Sequence, residues 1–86
     1  MWEETNAEIL EVIFSRYVFG NEFTQGNYRR RVKLTIQFTL KNGEKVIATR
    51  KVGTYVKNRW MFERGKWVSI LYKTDNPKKF KLKYHI

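Results

Sequence analysis

Between Arg29 and Leu40 the side chains alternate without a break. Arg30, Val32, Leu34, Ile36, Phe38 and Leu40 fall on one parity, and Arg29, Arg31, Lys33, Thr35, Gln37 and Thr39 on the other. Period two over about ten residues is the pattern of a half-buried strand, apolar towards a core and polar towards water. Lys41-Asn42-Gly43 closes it. A two-residue Asn-Gly loop pairs Phe38 with Ile47. A three-residue loop with Gly43 in the left-handed region pairs Phe38 with Val46 and Ile36 with Ala48. The second register continues the apolar face into Val46 and Ala48 and leaves Ile47 pointing outward, so it is the expected one.

A second strand pair is written between Gly65 and Tyr84. Gly65 can end a segment at positive φ, Val68, Ile70 and Tyr72 recur with period two, and Asp75-Asn76-Pro77 supplies turn chemistry. The returning strand then brings Phe80, Leu82 and Tyr84 to the same apolar layer while its lysines stay in water.

The N-terminal stretch supports two readings. Thr5 with Glu8 has the form of a capping box, and Ile9, Leu10, Ile13, Phe14 and Tyr17 fall at helical spacing, yet Leu10, Val12 and Phe14 also alternate and β-branched residues crowd the segment. From Phe19 to Asn27 two glycines and two asparagines mark a loop or a wide hairpin end. With 86 residues there is room for one core, which buries roughly 60–65% of the unfolded surface. The expected architecture is a single domain over residues 1–86, all-β or mainly β, a small barrel or rolled antiparallel sheet of about five or six strands. The alternative is an α+β fold opening with a helix at residues 6–17.

Charge is the strongest global signal. Eighteen Lys and Arg stand against eight Asp and Glu, for a net +10, and every basic residue lies beyond residue 15, where four of the eight acids do not. Such a field attracts polyanions, acidic protein surfaces or anionic lipid. Residues 50–67 interleave Arg50, Lys51, Tyr55, Lys57, Arg59, Trp60, Phe62, Arg64, Lys66 and Trp67. Cations among flat rings suit a single-stranded nucleic-acid groove, and they equally suit a barrel wall. In a domain this small the rings of Trp60, Phe62 and Trp67 are expected in the core.

Ala7-Glu8-Ile9-Leu10, the alternating strand ending in Lys41-Asn42-Gly43-Glu44, and Gly65-Lys66-Trp67-Val68-Ser69-Ile70-Leu71-Tyr72-Lys73-Thr74-Asp75-Asn76-Pro77 with Phe80-Lys81-Leu82 resemble a family of uncharacterised small β-rich domains. Those domains commonly adjoin transmembrane helices in bacterial proteins. The resemblance covers most of the chain and implies a compact barrel-like fold in which residues 7–14 are a strand. It carries over no active site. The chain departs from that pattern in lacking membrane segments and in its high positive charge.

Enzyme chemistry has little to work with. Cysteine is absent and His85 is the one histidine, so neither a thiolate nor a histidine-based metal site is available, and no cofactor is expected. His85 is expected to be exposed. A carboxylate pair would need Glu63 and Asp75 to meet. The five glycines are dispersed, so no phosphate-cradling loop exists. The function expected is a non-enzymatic binding module recruiting a polyanion, nucleic acid first. Its contacts are Arg29, Arg31, Lys33, Arg50, Lys57 and Arg59, with Tyr55 and Trp60, or Tyr28, stacking. The alternative is a protein-interaction or membrane-proximal module of a bacterial membrane-associated protein, meeting an acidic protein or an anionic membrane surface with cations that include Lys78, Lys79, Lys81 and Lys83. The N-terminus carries Glu3 and Glu4 in place of a basic signal region, and no apolar run approaches the ~20 residues of a membrane span. The chain as it stands is expected to be soluble, with the cytoplasm favoured.

Overall fold

The alternating segments become five antiparallel strands. The computed structural model describes residues 1–19, 29–84 and 86. In chain order it places β1 (Trp2–Phe19), β2 (Arg29–Thr39), β3 (Lys45–Tyr55), a short 3-10 helix (Val56–Met61), β4 (Trp67–Lys73) and β5 (Asn76–Leu82). The sheet order is β3-β2-β1-β4-β5, rolled into a nearly closed barrel. Residues 20–28, which include most of the expected loop and Tyr28, and residue 85, the lone histidine, lie outside the described residues, as do the side chains of residues 16–19 and 29.

β1 joins the two halves of the barrel. Its first part, Trp2 to Glu8, pairs with β4, and from Glu8 onward it pairs with β2. Ile9 faces Ile36 and Glu11 faces Thr35, so Leu10 is the extra residue of a β-bulge. Ala7 and Ile9 are buried before the bulge, and Val12 and Phe14 pack on the core after it. The bulge switches the inward parity from odd to even. That switch is the reason the segment imitates a helix: an apolar pattern with its phase shifted midway has no single period of two. The helix at residues 6–17 is therefore overturned. Thr5 pairs in register with Ile70, and Glu8 lies between Trp67 and Gln37, so neither serves a cap.

The β2–β3 hairpin adopts the three-residue loop. Phe38 pairs with Val46, Ile36 with Ala48 and Gln37 with Ile47, which is 55% exposed. Leu40 N–H donates to the Glu44 carbonyl at 2.8 Å, and Gly43 sits at φ +91°. Between β4 and β5 the loop is Thr74-Asp75, with Lys73 facing Asn76, so Asn76 and Pro77 already belong to the returning strand.

Ile9, Leu34, Ile36, Phe38, Phe62, Val68, Ile70, Tyr72 and Phe80 form the buried cluster. Phe38 and Tyr72 meet with ring centroids 5.0 Å apart. Tyr84 does not join this layer. It is 56% exposed because β5 ends at Leu82. Trp60 and Trp67 are likewise outside the core, whereas Phe62 is fully buried. Trp67 opens β4 on the parity opposite Val68, and Trp60 lies on the 3-10 helix, which has no buried residue.

β3 and β5 are the two ends of the sheet order and face each other across the barrel's seam. The Arg50 guanidinium spans that seam by donating to the Phe80 carbonyl. Farther along, Tyr55 N–H donates to the Ile86 carbonyl at 3.0 Å, and the Asn58 side chain donates to the same oxygen at 2.8 Å. These contacts tie the segment after β5 to the end of β3.

Candidate functional site

The hairpin register decides which outward cations meet. It sets Lys33 opposite Lys51 and Arg31 opposite Gly53, successive outward rows at the end of the hairpin remote from Gly43, and pairs the Arg29 backbone with Tyr55. Rows on one face of a strand repeat every ~6.6–6.8 Å. Ile13 continues the first row onto β1 beside Lys33. Arg31, Lys33, Lys51, Ile13, Phe14 and Ser15 enclose an open cleft of about 270 Å³. No carboxylate lines it among the described residues.

Two further guanidiniums meet Phe14, one of the residues lining this cleft. Phe14 carries the Arg59 guanidinium 4.9 Å and the Arg30 guanidinium 5.8 Å from its ring centroid, within cation–π range. The Arg30 Nε is buried and has no hydrogen-bond partner among the described residues. Lys57 lies 5.3 Å from the Tyr55 ring centre, extending the basic rows past the end of β3.

Of the residues expected from sequence, Arg31, Lys33, Tyr55 and Lys57 lie on one end of the β2–β3 hairpin. Arg29 joins them by its backbone register, and Arg59 borders the group through Phe14. Arg50 stands apart on the inward parity of β3, its guanidinium engaged at the seam. Trp60 also stands apart. It is 64% exposed and shares a second groove, of about 320 Å³, with Met61, Lys66, Trp67, Tyr84 and Ile86. Lys66 Nζ lies 5.3 Å over the Trp60 ring, and Lys83 Nζ lies 5.0 Å over the Tyr84 ring.

Sequence reasoning missed Lys51 as a partner of Lys33, and Trp67 and Tyr84 as surface rings. The first was accessible: the register that puts Phe38 opposite Val46 also puts Lys33 opposite Lys51. The exposure of the rings was not, because either face of β4 could have been buried by its neighbours.

The acids are segregated elsewhere. Glu3, Glu4, Glu8 and Glu11 run along β1. Glu3 accepts from the Tyr72 hydroxyl at 2.8 Å and from Lys41 at 3.3 Å, which together hold its carboxyl below the ordinary value. Glu4 pairs with Lys83 and raises that ammonium's pKa. Thus Lys83, just past the end of β5, is neutralised locally, whereas no ion pair of Lys33 or Lys51 is found among the described residues. Glu63 precedes β4 and Asp75 follows it, so the strand's length of about 20 Å separates the ends where they sit, and they form no carboxylate pair. Glu63 instead pairs with Lys66 at 3.6 Å.

Among the described residues no group of three His, Cys, Asp or Glu side chains could hold a metal ion, and no helix is long and apolar enough to cross a membrane. No family model, curated protein or solved structure matches this chain.

Proposed function

We propose that this domain is a non-enzymatic binding module whose outward β2–β3 end, built on Arg31, Lys33 and Lys51, recruits a polyanion, and that the polyanion is nucleic acid. The observation that carries the reading is the direct cross-strand apposition of Lys33 and Lys51. Like charges opposite each other destabilise a sheet, and among the described residues no carboxylate lines their cleft to relieve them. A bound phosphate row removes that repulsion, so the arrangement suits the liganded state better than the free one. Arg31 beside side-chain-free Gly53 and Lys57 beside Tyr55 extend the same field along the strand.

Phosphate contacts of this kind release counterions on binding, so affinity falls steeply with salt. Titration of the domain with a short oligonucleotide across a range of salt concentrations tests the reading. Lys33→Glu with Lys51→Glu is expected to abolish binding, and neutralising one cation to lower the slope of log affinity against log salt by about 0.7 for a single strand. Binding that is indifferent to salt, or unchanged in the double variant, refutes it.

A further inference from the structure

The cationic cleft does not stand alone. A wedge of about 290 Å³ opens between β3 and β5, walled by Arg50, Lys51, Gly53, Lys81, Leu82 and Tyr84. It shares Lys51 with the cationic cleft on one side and Tyr84 with the Trp60 groove on the other. The three depressions therefore adjoin through shared side chains. They run from a floor of cations, over the barrel's seam, to a group of rings. None of the described carboxylates lines any of the three. Glu8 lines a different depression, and Glu11 and Glu63 another.

We infer that these depressions form one track for an extended single strand of nucleic acid. The backbone is held at Lys33 and Lys51, and bases stack at the far end on Trp60, Trp67 and Tyr84. This rests on the polyanion reading above and adds to it the class of strand and the place where its bases are read. Trp60, Trp67 and Tyr84 are each more than half exposed around one groove. Rings buried in a core need no explanation, but three exposed rings around one groove, which shares Tyr84 with the wedge of Arg50, Lys51 and Lys81, set flat faces next to positive charge. Single-stranded bases need both: a π-face to stack on and a cation for the adjoining phosphate. A duplex hides its base faces and has no use for the groove. Charge complementarity selects nucleic acid over a neutral apolar ligand, because the other end of the track is lined by Arg31, Lys33 and Lys51 and the whole chain carries +10.

The test compares four probes on the intact domain: a mixed-pyrimidine single strand of about twelve nucleotides, a length single-strand-binding domains span, its duplex, inorganic polyphosphate, and vesicles containing phosphatidylserine. The single strand is expected to bind most tightly and to quench tryptophan emission, whereas polyphosphate binds without quenching. Trp60→Ala, Trp67→Ala and Tyr84→Ala are each expected to weaken the single strand by roughly 5-fold to 100-fold and to leave polyphosphate binding unchanged. These rings are exposed, so circular dichroism should show all three variants folded. If the ring variants bind the single strand like the parent, or the duplex binds as tightly, the track is overturned while the cationic cleft survives. Should no anion bind at all, the cleft itself is refuted. Preference for the vesicles over every nucleic-acid probe overturns both in favour of an anionic membrane surface.

Discussion

Arg50, on one end strand of the sheet, donates its guanidinium to the main-chain carbonyl of Phe80 on the other. Phe80 is fully buried, so the bond fixes the edge of the core at the point where the barrel approaches closure. A hydrogen bond from a charged donor contributes about 1.5–3 kcal/mol, and solvent access at the seam brings this one to or below the lower end. Arg50→Ala is expected to lower stability by about 1 kcal/mol in urea denaturation, with Arg50→Lys intermediate. It also leaves two strand edges less firmly held, so size-exclusion chromatography at rising concentration should show self-association that the parent lacks. Unchanged stability in Arg50→Ala would show that packing alone closes the seam.

Glu3 and Tyr72 predict a pH dependence on the acid side. The Tyr72 hydroxyl, helped by Lys41, lowers the Glu3 pKa from its ordinary 4.5 in the folded protein. A depressed carboxyl adds stability that is present above the unfolded value and is lost as pH falls through the folded one. The urea midpoint of the parent should therefore exceed that of Glu3→Gln at neutral pH, and the difference should close below pH 4.5. The same contact raises the Tyr72 pKa above its ordinary 10.0, so its contribution persists to that pH and disappears as Tyr72 ionises. A gap between parent and variant that does not change with pH would remove the linkage.

For Lys33 and Lys51, stability and binding should move in opposite directions. Lys51→Glu replaces a repulsive cross-strand pair by an attractive one and is expected to raise stability by about 0.2–1 kcal/mol. It also places a carboxylate in the cleft, which should weaken oligonucleotide binding at least tenfold. Thermal unfolding and a fluorescence-anisotropy titration on the same sample measure both. A variant that is destabilised and yet binds normally would contradict the argument from cross-strand charge.

Gly43 closes the β2–β3 hairpin at φ +91°, and a Cβ there would meet no atom within 4 Å. The cost of Gly43→Ala is therefore conformational and not steric, about 1–2 kcal/mol. Gly43→Asn should recover part of it, because asparagine tolerates the left-handed region. Equal losses for Ala and Asn would point to some other cause.

Much of the sheet was legible in local sequence. The alternation of Val32, Leu34, Ile36 and Phe38, together with the left-handed Gly43, set the β2–β3 register by themselves, because pairing and side-chain facing are both local properties of a hairpin. The same holds for Val68, Ile70 and Tyr72 in β4. The N-terminal segment was ambiguous for an equally definite reason. The bulge at Leu10 switches the inward face between Ile9 and Val12, and only pairing with β2 shows that the break in period is a bulge and not the start of a helix.

The candidate site divides along the same line. The sequence alone determined that the chain is basic, aromatic-rich and strand-forming, that Arg31 and Lys33 share an outward face, and that the hairpin places Lys51 against Lys33. Tertiary structure decided what no local pattern contains: that Arg50 turns to the seam, that Trp60, Trp67 and Tyr84 gather outside the core, and that the cationic and aromatic depressions adjoin through Lys51 and Tyr84. A strand's own period says which side chains share a face, whereas which face is covered depends on strands far away in the chain.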